Sequence, residues 1–129
     1  MTAVAPTVLV VDDEEDLREA MRRMLERRGF ATLTAAGPAE AEAVCREHGG
    51  AIDLLLTDLT LPGATGGELA RVATSMRPDL RVLFISGLPK EIAVGRGLVA
   101  EEAAMVQKPF TSDRLAEAVQ SALAADPRR

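Results

Sequence analysis

The stretch VLVVDDEEDLREAMRRML, residues 8–25, runs from four apolar residues into five consecutive acids and then into a helical pattern. Its apolar run has the length and the β-branched content of a buried strand. Beyond the acids, Leu17, Ala20, Met21, Met24 and Leu25 recur at helical spacing, so they predict one apolar stripe, and Gly29 is placed to end that helix. A strand followed at once by a helix puts Asp12, Asp13, Glu14, Glu15 and Asp16 at the carboxyl end of the strand. Charge at that density repels itself unless a cation shares it or every carboxylate faces water. The meaning of the acids therefore depends on what else arrives there.

Working outward, strand-length apolar runs recur as ATLTAA (31–36), IDLLLT (52–57), RVLFIS (81–86) and AMVQ (104–107). Helical patterns alternate with them. Ala41, Val44 and Cys45 mark a second helix opened by Pro38 and closed at HGG. Leu69, Val72, Ala73 and Met76 mark a third, stopped before Pro78. Leu115, Ala118, Val119, Ala122 and Leu123 mark the last, with Thr111 or Ser112 as N-cap. KEIAVGRGLVAEEA (90–103) is the weakest helix, because Gly95 and Gly97 erode it, and it is a candidate mobile element. Strand and helix alternating through five cycles predict an α/β fold, a doubly wound parallel sheet covered by helices on both faces. Ligands of such sheets bind beyond the carboxyl ends of the strands.

The 129 residues suit one domain with one core, expected to occupy about residues 7–125, with no output domain in this chain. Net charge is -5, and Arg128-Arg129 is the one basic block, which argues against direct nucleic-acid binding. Three Phe, no Tyr and no Trp leave few stacking platforms for single strands. One cysteine permits no internal disulfide, and neither a signal peptide nor a membrane span is legible. A cytoplasmic protein without membrane contact is expected.

The first strand delivers Asp12 and Asp13 to the site edge, the third Asp58, the fourth Ser86 and the fifth Lys108. Clustered carboxylates hold a hard divalent cation such as Mg2+ or Mn2+. Asp58 is then placed as a nucleophile toward phosphorus, with Ser86 donating to the phosphoryl oxygens and Lys108 neutralising them.

At these residues the chain resembles the receiver domains of bacterial response regulators, the phosphoacceptors of two-component signalling that include the chemotaxis regulators. VDDEE resembles the family's acidic pair, TDLTLPGATGGELA its phosphoacceptor strand and loop, ISG its hydroxyl position and QKPF its lysine. The resemblance implies a flavodoxin-like sheet of order 2-1-3-4-5 with five helices. It implies that Asp58 accepts a phosphoryl group from a sensor histidine kinase or a histidine phosphotransfer protein. Asp13, Asp58 and the backbone carbonyl of Thr60 resemble the direct metal ligands, and Asp12 acts largely through metal-bound water. Ser86 and Lys108 match the phosphoryl-sensing pair, Pro62 and Gly66 the loop pattern, and Lys108-Pro109 a peptide bond that is cis in many relatives. Such a domain is a stoichiometric acceptor rather than a turnover enzyme. It switches a surface toward a downstream protein that the sequence does not name.

Blander readings cover the remaining candidates. Glu14, Glu15 and Asp16 are favourable partners of a helix N-terminus, and His48 places a cation at a helix C-terminus. PGATGGE is turn chemistry, because it lacks the Gly-Lys-Ser/Thr ending of a phosphate-binding loop. Cys45 reads as a buried small hydrophobe and the methionines as packing. Two departures from the family pattern matter. Met105 stands where many relatives carry an aromatic switch residue beside Ser86, and Leu88 and Thr60 occupy positions that influence how water reaches an acyl phosphate. A non-phosphorylated pseudo-receiver is the alternative of a different class. A small aspartate-dependent phosphohydrolase is the enzymatic one, although Thr60 stands where such enzymes usually carry a second Asp.

Overall fold

The computed structural model describes residues 5–125, so the pair Arg128-Arg129 lies outside the described residues. The elements run β1 (Thr7–Val11), α1 (Glu15–Glu26), β2 (Ala31–Ala35), α2 (Pro38–Glu47) and β3 (Leu54–Asp58). There follow β4 (Thr60–Leu61), β5 (Ala64–Thr65), α3 (Gly66–Met76), β6 (Arg81–Ser86), α4 (Lys90–Gly95), β7 (Ala104–Gln107) and α5 (Ser112–Ala124). Five strands form one parallel sheet in the order β2-β1-β3-β6-β7. Without the small ribbon β4-β5, this is the expected 2-1-3-4-5.

Alternation along the strands builds a core on each face. Val8, Val10, Leu54, Leu56, Leu83, Ile85 and Val106 meet Met21 and Leu25 of α1 and Leu115 and Val119 of α5. Leu9, Val11 and Leu55 meet Ala41 and Cys45 of α2 and Leu69 and Ala73 of α3 on the other face. Because β1 and β3 are central and covered on both sides, Val8–Val11 and Leu54–Leu56 are unbroken apolar runs, as parallel strands favour. Register fixes the site: Val11 lies beside Thr57, and Asp58 beside Ile85, so the three strands end at one level.

The loop 62–68 is more ordered than turn chemistry alone predicts. Its first residues close an antiparallel ribbon in which Thr60 pairs with Thr65 and Leu61 with Ala64. Pro62 and Gly63 make the reversal, and Gly63 has φ 83, a conformation that Gly adopts without steric cost. Thr65 then caps α3 in a reciprocal box with Glu68.

Two expectations about α3 are corrected. Val72 and Met76 do not share the buried stripe of α3; each is 37% exposed. The helix seats Gly66, Leu69 and Ala73, with Ala70 partly covered, and a helix lying on a sheet covers little more than that one line. Met76 is therefore not a packing methionine, whereas Met21 is fully buried. His48 is the C-cap of α2, and Arg77 brings a further cation to the same helix end. Arg77 donates to the carbonyls of Cys45 (2.9 Å), His48 (2.6 Å) and Gly50 (2.9 Å), joining the end of α3 to the end of α2. The segment 90–103 holds a helix of six residues, after which Gly97 at φ 72 turns the chain away.

Candidate phosphoacceptor and metal site

Asp12 follows the last residue of β1 and is 1% exposed. Its Oδ1 accepts the Glu14 N–H at 2.8 Å, an Asx turn that leads the chain into α1. Its Oδ2 is buried and has no hydrogen-bond partner among the described residues. Burial raises the pKa of this carboxyl, against the opposing pull of the Glu14 N–H and of the Lys108 charge. Asp13 is exposed at the rim. Arg18 reaches back from the first turns of α1 and donates through Nη1 to the backbone carbonyl of Asp12 at 2.8 Å.

Asp58 ends β3 with its side chain 14% exposed. Its Oδ1 accepts the Thr60 N–H at 3.2 Å, and its Oδ2 accepts Lys108 Nζ at 2.9 Å. Gly66 packs against the backbone of this residue. A Cβ there would lie 2.3 Å from the Asp58 carbonyl oxygen, and the Gly66 N–H donates to the Leu59 carbonyl at 2.7 Å. Only a residue without a side chain lets α3 start so close to the end of β3.

Ser86 ends β6 almost fully buried, and its Oγ accepts the Leu88 N–H at 3.0 Å. The Lys108 N–H donates to the Ser86 carbonyl at 2.8 Å, which extends the β6–β7 pairing by one residue. The Lys108-Pro109 bond is cis. From this position the Lys108 ammonium lies 2.9 Å from Asp58 Oδ2 and 3.9 Å from Asp12 Oδ2. Partial burial works against its charge, but the hydrogen bond and the charge of Asp58, with help from Asp12, hold its pKa above the ordinary lysine value.

Carboxylate oxygens of Asp12, Asp13 and Asp58 lie within 4.8 Å of one another. Three acids face one ammonium, and a buried oxygen of Asp12 is unmatched. An all-oxygen set with surplus negative charge fits Mg2+ or Mn2+ and suits neither a thiolate-preferring nor an imidazole-preferring metal. Asp12, Asp13 and Asp58 can hold such an ion.

The response regulator receiver domain family matches residues 8–120. The chain belongs to this family. It is 34% identical over 118 residues to the sensor kinase CckA of Brucella abortus, covering 91% of this chain and 12% of that protein. It is 32% identical over 103 residues to the response regulator receiver protein CpdR of the same organism, covering 80% and 84%. A crystal structure of a response regulator receiver protein from Sinorhizobium medicae superposes with TM-score 0.80 at 31% identity, covering 94% of this chain and 96% of the other. The chain spans 12% and 26% of the length of the first two curated relatives it matches.

In this receiver domain, Asp12, Asp13, Asp58 and Lys108 converge as the strand ends predict. Ser86 stands on the neighbouring strand end, with its hydroxyl turned to the Leu88 N–H. Met105 sits beside Phe84 across the β6–β7 pair and packs among Leu59, Phe84 and Ala93, so an aromatic ring two residues before Ser86 on its own strand already occupies this face. Sequence reading missed two residues near this edge. Arg18 carries a signal that was available, since long helical side chains point back toward the N-terminus. Lys90 donates to the Ala103 carbonyl at 2.5 Å, a contact across a loop for which no sequence rule exists. No helix among the described residues is long and apolar enough to cross a membrane.

Proposed function

We propose that this receiver domain accepts a phosphoryl group on Asp58 from a phosphohistidine of a sensor kinase or phosphotransfer protein, and thereby switches a protein-binding surface. The observation that carries the reading is the placement of Asp58 between Lys108 at 2.9 Å and the carboxylates of Asp12 and Asp13. An Asp58 carboxylate oxygen forms the new P–O bond while the P–N bond breaks and its electron pair returns to the imidazole. Asp12, Asp13 and Asp58, with the Thr60 carbonyl, would hold Mg2+, which supplies neutralisation of the phosphoryl oxygens when bound. Lys108 holds a second positive charge on the same side. The Ser86 hydroxyl exchanges the Leu88 N–H for a phosphoryl oxygen by rotation about one bond. Turnover is stoichiometric, since the product remains on the chain.

Support for phosphorylation over a silent scaffold comes from three carboxylates gathered within 4.8 Å of one another beside the Lys108 ammonium, because a scaffold gains nothing from concentrating like charge. The test is intact mass after incubation with acetyl phosphate and Mg2+. One phosphoryl adduct is expected in wild type, and none in Asp58→Asn or without a divalent ion. An adduct that persists in Asp58→Asn would overturn the assignment.

A further inference from the structure

Asp13 differs from the other two acids of the site in how it is held. Asp12 is tied by the Glu14 N–H, and Asp58 by Thr60 and Lys108. Asp13 is exposed, and its carboxylate accepts no hydrogen bond from the described residues. Its direction therefore depends on the peptide that joins it to Asp12. The carbonyl of that peptide accepts from Arg18 Nη1 at 2.8 Å, and the Asp12 N–H reaches the Ala35 carbonyl only at 3.3 Å. We infer that Arg18 is a positioning residue for the divalent-cation site, holding the Asp12-Asp13 peptide so that the Asp13 carboxylate points at Asp58.

The inference rests on the Mg2+ reading above and adds a residue to it. Arg18 sits among five acids, yet among the described residues it forms no ion pair; its partner is a neutral carbonyl. That choice matters chemically. A guanidinium bound to a carboxylate would compete with the metal for the same oxygens, whereas one bound to the carbonyl leaves all three acids free. Arg18 is half-buried, so part of its side chain is covered. Groups that orient metal ligands without touching the metal commonly change affinity by about 10–100-fold when removed.

The sign of the effect separates this role from simple electrostatics. Removing a cation near a cation site favours metal binding by Coulomb's law, so a purely electrostatic Arg18 makes Arg18→Met bind Mg2+ more tightly than wild type. A positioning Arg18 makes it bind more weakly. The experiment is calorimetric Mg2+ titration of wild type, Arg18→Met, Arg18→Lys and Asp13→Asn, with the Asp12 carbonyl-carbon NMR shift as a second readout. Arg18→Met keeps the apolar stem, and Arg18→Lys keeps a donor. The expected result is a Kd raised about tenfold in Arg18→Met, with much of the loss recovered in Arg18→Lys and a moved Asp12 carbonyl shift in Arg18→Met. Equal or tighter binding in Arg18→Met, or an unmoved carbonyl shift, would overturn the inference while leaving the Mg2+ reading intact. A wild type that binds no Mg2+, or binds it no better than Asp13→Asn, would overturn both. If Arg18→Met does not fold, Arg18→Ala, which also removes the donor, takes its place: a Kd and a carbonyl shift both unchanged from wild type sink the idea.

Discussion

Asp12 carries a buried carboxyl whose Oδ2 accepts no hydrogen bond among the described residues, with the Lys108 ammonium 3.9 Å away. Replacing it with Asn keeps an oxygen for the Glu14 N–H and removes the charge, so Asp12→Asn should stabilise the metal-free protein by about 1–2 kcal/mol. The same variant should lose most of the rise in Tm that Mg2+ gives wild type. Thermal unfolding with and without Mg2+ checks both halves, and a lower metal-free Tm would contradict the first. Gly66→Ala tests the backbone beneath the phosphoacceptor. A methyl group 2.3 Å from the Asp58 carbonyl must push α3 or β3 away, at about 1–3 kcal/mol. Denaturant titration reads the loss, and acetyl-phosphate labelling should slow in parallel because Asp58 moves with the backbone. Cys45, by contrast, behaves as its sequence neighbours indicate: burial makes it a packing residue and raises its thiol pKa.

At the scale of elements, the ends of helices are legible where a cap is local and opaque where it is not. Pro38 at the start of α2 and Thr111 at the start of α5 are read directly from sequence. The capping box of α3 lies inside a stretch that reads only as turn, because β4 and β5 are too short to leave a period. Its Glu68 carboxyl is held below its ordinary pKa by the Thr65 N–H and by the capping contact. A depressed carboxyl contributes stability that is present above its unfolded value of 4.5 and is lost as pH falls through the lower folded value. Glu68→Gln should therefore lose stability relative to wild type at neutral pH and converge with it at acid pH. Tm measured across that range checks the convergence, and a constant difference would show that the charge is irrelevant. Thr65→Ala should cost about 1 kcal/mol at neutral pH.

Across the whole molecule, the site and the short α4 are joined through one loop. Ser86 Oγ holds the Leu88 N–H, and Lys90, two residues on, holds the Ala103 carbonyl at the start of β7. If Ser86 turns toward a phosphoryl group, the Leu88 bond is released and the loop is free to carry Lys90 with it. Beryllofluoride with Mg2+, a phosphoryl mimic, should then shift backbone amides of residues 90–100 as well as those around Asp58. Lys90→Met should weaken hydrogen-exchange protection in the same segment without the mimic. Shifts confined to the neighbourhood of Asp58 would show that α4 takes no part in the response.

The sequence by itself determined the alternation of strands and helices, the acids at the end of β1, and the order in which Asp58, Ser86 and Lys108 reach one sheet edge. Those features rest on period and punctuation, which are local. What only the tertiary structure decided depends on contacts between distant segments. Val72 and Met76 fall off the buried line because the sheet beneath α3 covers a narrow stripe. Arg77 reaches the end of α2 because α3 ends beside it. Gly66 is required because β3 and α3 nearly touch. In each case the deciding quantity is a distance between backbones that no spacing along the chain encodes.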